Sequence, residues 1–489
     1  MKKRNSNSRQ SLDGRSGWAG GPCGHIHPVI CNPAGLERGP VSPAVGGLHA
    51  MRNWWRFVPC FVTLIVGMAQ VAQAIEPIKE YQERRQAYLE RVKSGVSVIF
   101  NASDEELSVF RVAKDFFYLT GFSEPGAILV LSPQNPTHKE TLFLRPRDPT
   151  QEKWTGPKAD VTSEMAKRLG VERVVSRERF QSELTKLMEG EGKLYTILPP
   201  GRKEEWPSSE TNTVTRIRQL FPFSEVLDAS PHIAHLRMKK SASELELLRR
   251  AIAITLEGQK AAAGEISPDR FEYQVQAVLE YEFRRLGSSS PAFPSIVGSG
   301  LNSTILHYES NSKKMVDGEL VVVDVGAEFG EYAADITRTY PVSGKFSPHQ
   351  REIYSIVLEA QEAALKEVRP GANISRGGAI HKAAFEYINT HGKDLKGQSL
   401  GQYFIHGTSH HLGLDVHDAV DENSRPLEQG MVITVEPGIY LSEENLGVRI
   451  EDDVLVTESG YELLSRDLPR RPDEVEKFMA ESSAHHNCH

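Results

Sequence analysis

The segment from Val321 to Thr339 constrains this chain more than any other, because it places two acids on neighbouring apolar strands. Asp324 closes the first apolar run, and Asp335 lies in a second strand-like run that follows a glycine-punctuated turn. Carboxylates are costly to bury unless a cation or hydrogen-bond donors compensate them. The segment therefore predicts a site in which positive charge lies between the two carboxylates.

Three later stretches carry the other candidate ligands. Four histidines lie within the twelve residues from His406 to His417, and imidazole is both a common metal ligand and an acid–base group near neutral pH. Glu436 ends an apolar strand before a proline. A single strand is predicted from Val448 to Val456, which places Arg449 and Glu451 on one face between apolar neighbours.

The opening segment and the three later stretches together supply four carboxylates and one imidazole. Structural zinc sites prefer thiolate and imidazole ligands, whereas oxygen-rich sets favour Mn²⁺, with Co²⁺ or Zn²⁺ as alternatives. Two divalent ions that share bridging carboxylates can activate a water for attack on a carbonyl or phosphoryl centre. The predicted metal ligands are Asp324, Asp335, His410, Glu436 and Glu451.

The first 74 residues are predicted to precede the folded protein. Residues 1–50 show no helical or strand period and are predicted to be an unstructured leader, with Met51 as an alternative start. Residues 51–74 have the layout of a signal peptide, with arginines, an apolar run and an Ala-Gln-Ala motif. Cleavage predicts a secreted or periplasmic protein. Retention of the segment is the alternative and predicts a membrane anchor.

The remaining chain divides into two parts with different patterns. Residues 75–236 alternate short apolar strands with helices, which is typical of an α/β domain. Residues 241–478 combine long amphipathic helices with strands and form the second predicted domain, of α+β type. Two helices followed by two strands occur twice there, which hints at an internal duplication. Residues 479–489 are predicted to be a disordered tail.

The charge of the chain excludes one class of partner. Its formal net charge is −8, and no basic stripe of the kind that contacts nucleic acid is visible. We therefore expect no nucleic-acid partner.

Seven motifs resemble those of the pita-bread metallopeptidase family, specifically its aminopeptidase P and prolidase branch. The resemblance covers about residues 78–478 and implies an aminopeptidase P N-terminal domain followed by a pita-bread catalytic domain. In chain order the motifs are Ile305–Tyr308, Asp324–Gly326, Asp335–Thr339, His406–His410, Asp415–Asp418, Glu436–Gly438 and Arg449–Asp453.

The resemblance assigns a role to each ligand. Asp324 and Asp335 would bind one ion, His410 and Glu436 would bind the other, and Asp335 and Glu451 would bridge the two. A hydroxide between the metals would attack the scissile carbonyl. Glu436 would also take the proton of the attacking water.

The same resemblance assigns further residues to the substrate site. His307, His406 and His417 would surround the substrate, with His417 polarising the carbonyl or steadying the tetrahedral intermediate. Arg449 would order the carboxylates from outside the ligand set.

Three further residues would contact the substrate or its surroundings. Asp115, from the N-terminal domain, would approach the site close to Tyr440. Trp154 would reach into the site of a neighbouring subunit, which implies a homo-oligomer, a dimer or a tetramer. The chain departs from the family pattern at Thr408, where leucine is common, and at His411, where an aromatic residue is common.

The resemblance predicts an Xaa-Pro aminopeptidase that acts on peptides with proline at the second position. Ser409 favours this activity over that of a prolidase, the main alternative, which is restricted to Xaa-Pro dipeptides. The more distant alternative is a non-catalytic pita-bread binding module. Such modules lose their metal ligands, and all five predicted ligands are present here.

Overall fold

The computed structural model describes residues 77–102, 111–198, 209–421 and 425–486. The predicted leader and signal peptide, residues 1–74, lie outside these ranges. Within them, no helix combines the length and the apolar character that crossing a membrane requires.

The N-terminal part is built on one mixed six-stranded sheet with the order β4-β3-β2-β1-β5-β6. Its strands are β1 Val96–Phe100, β2 Ile128–Leu131, β3 Glu140–Leu144, β4 Arg173–Ser176, β5 Lys193–Thr196 and β6 Glu225–Asp228. Its helices are α1 Ile78–Arg91, α2 Lys114–Thr120, α3 Glu152–Thr155, α4 Ser163–Leu169, α5 Phe180–Leu187, α6 Ser209–Leu220 and α7 Ser230–Met238.

The C-terminal part contains small antiparallel sheets with the orders β12-β9-β8, β11-β10-β7, β13-β16-β17 and β14-β15. Its strands are β7 Ser290–Pro291, β8 Ile296–Ser299, β9 Leu320–Val325, β10 Ala327–Phe329, β11 Tyr332–Ala333, β12 Ile336–Pro341, β13 Val432–Val435, β14 Gly438–Leu441, β15 Leu446–Arg449, β16 Asp452–Val456 and β17 Tyr461–Leu463. Its helices are α8 Ala242–Glu265, α9 Glu272–Arg285, α10 Pro348–Leu365, α11 Ala379–His391 and α12 Pro472–His486.

Helix α8 begins at a capping box formed by Ser241 and Glu244. The Ser241 hydroxyl accepts a hydrogen bond from the Glu244 backbone N–H, and the Glu244 carboxylate accepts one from the Ser241 N–H. These reciprocal bonds satisfy two donors that the first helical turn leaves without an intrahelical partner. The helix then packs against α9 and α12.

Apolar packing continues between the two parts of the chain. One cluster of buried residues includes Leu119 and Leu129 from the N-terminal part and Leu412, Val432 and Leu455 from the C-terminal part. The removal of this apolar surface from water stabilises the two parts against each other.

The prediction of a single strand from Val448 to Val456 is wrong, because the structure has two separate strands there. Strand β15 ends at Arg449 and pairs with β14, whereas β16 begins at Asp452 and pairs with β13. Between them, the Glu451 backbone N–H donates to the Thr337 carbonyl at 3.1 Å. The chain therefore passes from one sheet to the next at the residue that carries a predicted ligand.

The prediction that residues 479–489 are disordered is wrong for the part that the structure describes. Helix α12 continues to His486. Val475 and Met479 on this helix are 0% and 3% exposed, and they belong to the main apolar core of the C-terminal part. Burial of this apolar stripe stabilises the helix, whereas a short isolated helix is marginal in water.

Candidate active site

The predicted ligands and three of the predicted histidines line one cavity of about 450 Å³ in the C-terminal part. Apolar side chains from strand β8 and from neighbouring loops form another part of its wall. The lining residues are Phe293, Pro294, Ile296, Leu306, His307, Glu309, Asp324, Asp335, His406, Gly407, Ser409, His410, Val416, His417, Glu436, Arg449 and Glu451.

Strand pairing between β9 and β12 brings the two acids of the opening segment together. Asp324 lies opposite Thr337 in the ladder, and Asp335 immediately precedes β12. Side chains alternate along β12, so that Thr337 faces the site while Arg338 points away to Asp452. The Thr337 hydroxyl donates to Glu451 at 2.6 Å.

Arg449 connects Asp324 to the β14–β15 hairpin through hydrogen bonds. Its guanidinium donates to Asp324 Oδ2 at 2.5 Å, to the Tyr440 hydroxyl at 3.0 Å and to the Thr337 hydroxyl at 3.2 Å. Asp324 Oδ1 is buried and has no hydrogen-bond donor among the described residues. One oxygen of Asp324 is therefore held by the protein, and the other is available to a ligand.

Three of the predicted carboxylate ligands converge on the imidazole of His410. Its Nε2 lies 3.4 Å from Asp335 Oδ2, 3.5 Å from Glu436 Oε1 and 4.0 Å from Glu451 Oε1. Its Nδ1 lies 3.1 Å from the His411 carbonyl oxygen. A carbonyl can only accept a hydrogen bond, so this contact assigns the proton to Nδ1 and leaves the Nε2 lone pair directed at the carboxylates.

Burial and neighbouring negative charge oppose ionisation of these carboxyl groups. Burial and the charge of Asp324 raise the pKa of Asp335 well above its ordinary value. Burial and the charges of Asp335 and Glu436 do the same to the pKa of Glu451. Burial raises the pKa of Glu436 to about 7, although His410 opposes this effect.

The ligand set fits divalent metal ions. Ligand atoms of Asp335, His410 and Glu451 lie within 4.8 Å of one another. A cation among them would offset both the desolvation and the mutual repulsion that raise their pKa values. The oxygen of Asp324 that has no hydrogen-bond donor points to the same requirement.

A hydrogen-bonded chain links His406 to Asp324. Arg449 donates to the Tyr440 hydroxyl, which in turn lies 2.8 Å from His406 Nε2. His406 Nδ1 lies 2.7 Å from the Gly407 carbonyl, so Nδ1 carries the proton and Nε2 accepts one from Tyr440. Burial and the charge of Arg449 lower the pKa of His406 to about 3, which favours the neutral imidazole.

His417 and His307 line the cavity on loops. The His417 ring packs edge-on against His410, with ring centroids 4.3 Å apart. Burial and the proximity of His410 lower the pKa of His417. The His307 loop is held by Glu272 on α9, which accepts hydrogen bonds from Ser299, Asn302, Tyr308 and Lys313.

Asp115 is bound by Arg237 of α7 at 2.7 Å and does not line the cavity. Its approach to Tyr440 stays a prediction. The same guanidinium binds Asp415 at 2.6 Å and Asp418 at 2.5 Å, the residues that flank His417. Asp115 therefore approaches the site through Arg237 and the His417 loop.

Trp154 lies outside the cavity of its own chain. It is 87% exposed on α3. A large exposed aromatic side chain is typical of an interface residue.

Arg237 was missed by the sequence analysis. It is 3% exposed and contacts three carboxylates. Lys240 adds a second cation at 2.8 Å from Asp418. The sequence did contain a signal for this residue, because Asp415 and Asp418 lie on either side of His417 and buried acids require cationic partners.

Comparison with known proteins identifies the family of the two parts. The sequence model described as "Aminopeptidase P, N-terminal domain" matches residues 81–195. The model described as "Metallopeptidase family M24" matches residues 246–458. These matches confirm the predicted order of an α/β N-terminal domain and a pita-bread catalytic domain.

Individual relatives match most of the chain. The Xaa-Pro aminopeptidases of Haemophilus influenzae and of Escherichia coli K12 are each 37% identical over 435 residues, which cover 82% of this chain and 97% of theirs. The structure of Escherichia coli aminopeptidase P with the inhibitor Pro-Leu has a TM-score of 0.73 at 35% identity, over 83% of this chain and 99% of that one.

The family match, the relatives and the cavity lined by metal-ligand side chains agree with one another. A non-catalytic module is excluded on these grounds, because the family is enzymatic and the ligand set is intact. The chain therefore belongs to metallopeptidase family M24, in its aminopeptidase P branch, and is a metallo-aminopeptidase.

Proposed function

We propose that this protein removes the N-terminal residue from peptides whose second residue is proline, using two divalent metal ions. The observation that carries the proposal is the convergence of four carboxylates and one imidazole on a single cavity. The relatives named Xaa-Pro aminopeptidase support the substrate class.

The residues present suit two ions, which we propose to be Mn²⁺, with Co²⁺ or Zn²⁺ as alternatives. Asp324 and Asp335 would hold one, His410 and Glu436 the other, and Asp335 and Glu451 would serve both. When bound, such ions would lower the pKa of a coordinated water and would stabilise negative charge on the carbonyl oxygen.

The surrounding residues of the chain position the substrate and handle protons. Glu436 would receive the proton of the attacking water, and its carboxylate lies 3.5 Å from both His406 and His410. His417 is assigned to the scissile carbonyl, where a donor stabilises the developing oxyanion. His307 and His406 are assigned to the walls that orient the peptide.

The decisive assay compares Xaa-Pro-Yaa tripeptides with Xaa-Pro dipeptides. Purified protein is stripped with EDTA, assayed, and assayed again after addition of Mn²⁺. We expect tripeptide cleavage that disappears with EDTA and returns with Mn²⁺. Cleavage of dipeptides alone would instead identify a prolidase, and equal activity of the unaltered chain and an Asp335→Ala variant would exclude this site as the source.

We also propose that the protein forms a homo-oligomer in which Trp154 enters a neighbouring site. Support comes from its 87% exposure outside the cavity of its own chain. Light scattering is expected to give a dimer or tetramer, and Trp154→Ala to raise KM for tripeptides. Phe223→Ala, at a side chain that is 98% exposed, is the matched control. A monomeric mass would exclude the proposal.

The export of the protein is a separate proposal. It rests on the signal-peptide layout of residues 51–74, with its Ala-Gln-Ala motif. N-terminal sequencing of protein from the periplasm or medium is expected to begin at Ile75. Recovery of an uncleaved chain in the membrane fraction would support the membrane anchor instead.

A further inference from the structure

Two glutamines occupy corresponding positions in the two halves of the catalytic domain. Gln259 lies on α8 and Gln361 on α10, the first long helix of each half. Both side chains are 0% exposed. A buried amide on an apolar helix face needs hydrogen-bond partners, because an unmatched one costs about 1–3 kcal/mol.

Gln259 bonds to the backbone beside the first two ligands. Its Nε2 donates to the carbonyl of Val323 at 3.1 Å and to that of Ile336 at 2.9 Å. Val323 directly precedes Asp324, and Ile336 directly follows Asp335. Both amide protons are thus used on the two strands that carry these acids.

Gln361 makes the corresponding bonds in the other half. Its Nε2 donates to the carbonyl of Val435 at 3.0 Å and to that of Ile450 at 3.3 Å. These residues directly precede Glu436 and Glu451. The same nitrogen also donates to Asp452 Oδ2 at 2.8 Å.

The acceptor atom of each amide is held as well. The Tyr340 hydroxyl donates to Gln259 Oε1 at 3.0 Å, and Arg470 donates to Gln361 Oε1 at 2.9 Å. The backbone carbonyls bonded to each Nε2 assign the amide orientation, since a carbonyl can only accept, and Arg470 on Gln361 Oε1 can only donate. They also restrict rotation of the amide in both positions.

The bonds act on the ligands through the peptide plane. A carbonyl oxygen and the following N–H and Cα belong to one rigid unit. Anchoring the carbonyls of Val323, Val435 and Ile450 therefore restricts the backbone from which Asp324, Glu436 and Glu451 project. The bond from Gln361 to Ile450 holds a segment that strand pairing does not hold, because Ile450 lies where the chain leaves one sheet for the next.

We propose that Gln259 and Gln361 are positioning residues, each for one half of the metal site. Gln259 orders the backbone of Asp324 and, through Ile336, the start of β12 beside Asp335, whereas Gln361 orders the backbone of Glu436 and Glu451. The equivalence of the two contacts also agrees with the repeated order of helices and strands in this domain. The inference rests on the proposed two-ion site and adds two residues that do not touch the ions.

The test uses Gln259→Met and Gln361→Met, which keep the side-chain length and remove the N–H donors. Isothermal titration of EDTA-stripped protein with Mn²⁺ gives the affinities. Anomalous scattering from crystals equilibrated at graded Mn²⁺ concentrations gives the occupancy of each position. Loss of such an outer partner typically weakens metal binding by about 10- to 100-fold.

We expect the two variants to differ in which ion they lose. Gln259→Met should lower the occupancy beside Asp324 first, and Gln361→Met the occupancy beside Glu436 first. The matched control is Tyr88→Phe, which removes a buried hydrogen bond to Ser97 at 2.9 Å in the N-terminal part. It should reduce stability and leave both metal affinities unchanged.

A milder variant tests the same idea if Gln259→Met does not fold. Tyr340→Phe keeps the packing and frees the Gln259 oxygen, so we expect a smaller loss, confined to the position beside Asp324. Unchanged affinities in folded variants, or equal loss at both positions, would overturn the inference and leave the two-ion proposal intact. Failure of the unaltered chain to bind Mn²⁺ would overturn both.

Discussion

At the scale of single residues, Asp324 and Asp335 differ in the residues that contact them. Asp324 is bonded by Arg449 through one oxygen, whereas Asp335 lies 3.4 Å from His410 Nε2, and burial and the charge of Asp335 raise the pKa of Glu451 in the other half. In the proposed site Asp335 serves both ions and Asp324 serves one. The two residues are alike in sequence context, so only their partners separate them.

This difference predicts unequal metal loss. Asp335→Ala should retain almost no Mn²⁺, and Asp324→Ala about one ion per chain, because only the first removes a bridging ligand. Elemental analysis after equilibrium dialysis measures the difference. Equal metal content in the two variants would contradict the assignment of Asp335 as a bridge.

Arg449 is expected to be intolerant of a conservative change. Arg449→Lys keeps the charge but cannot reach Asp324, Tyr440 and Thr337 together, because lysine lacks the planar fork. We expect a fall in kcat/KM of about 10- to 100-fold, as for other partners that orient metal ligands.

The control for this prediction is an exposed arginine in a similar pair. Arg285 donates to Glu282 at 2.8 and 2.6 Å, and its side chain is 50% exposed. Arg285→Lys should leave the steady-state kinetics unchanged, since exposed pairs contribute little. Equal effects of the two changes would show that geometry at Arg449 is unimportant.

At the scale of elements, the loop that carries His307 depends on one buried carboxylate. Glu272 on α9 is 0% exposed and accepts from the backbone N–H groups of Ser299 and Lys313 at 2.7 and 2.8 Å. Glu272→Gln replaces one carboxylate oxygen with an NH2 group, which cannot accept a hydrogen bond from these N–H groups. We expect faster amide exchange in residues 300–313 and a lower kcat/KM. Unchanged exchange would contradict this account of the loop.

The C-terminal helix makes a second prediction at this scale. Met479→Ala should lower the free energy of unfolding by about 2–5 kcal/mol, because Met479 is 3% exposed in the core. Lys477→Ala, at a side chain that is 75% exposed, should change it by less than about 0.5 kcal/mol. Urea denaturation measures both, and equal values would indicate a tail that does not contribute to the core.

At the scale of the whole molecule, one ionic cluster connects the N-terminal domain to the loop that carries His417. Arg237 and Lys240 both bind Asp418, and Arg237 also binds Asp115 and Asp415. Burial opposes ionisation of Asp418, but the two cations outweigh it and hold its pKa below the ordinary value. Burial lowers the pKa of His411, and the charge of Asp418 opposes this effect.

This lowered pKa predicts how stability depends on pH. A carboxyl whose pKa is lower in the folded state stabilises the fold above its unfolded pKa, and this stabilisation is lost as the pH falls. Asp418→Asn should therefore cost about 3–5 kcal/mol at pH 7. The difference should shrink below about pH 4, the ordinary range of an aspartate. Urea titrations across this range measure it, and a constant difference would contradict the prediction.

The sequence by itself determined the features that depend on local pattern and residue chemistry. Period-two alternation alone places Thr337 and Arg338 on opposite faces of β12, because neighbouring side chains on a strand alternate. Ligand chemistry predicted a metal site from the acids and His410. The capping box at Ser241 was equally local. These features need no knowledge of which distant segments meet.

Only the tertiary structure decided which distant groups share a contact. Arg449 reaches Asp324 across 125 residues of chain, and Arg237 reaches Asp418 across 181. Such contacts result from strand pairing and domain packing, which local periodicity does not encode. The same reason explains the break before Asp452, the order of helix α12 and the position of Asp115. Each depends on the partner that the folded chain brings to it.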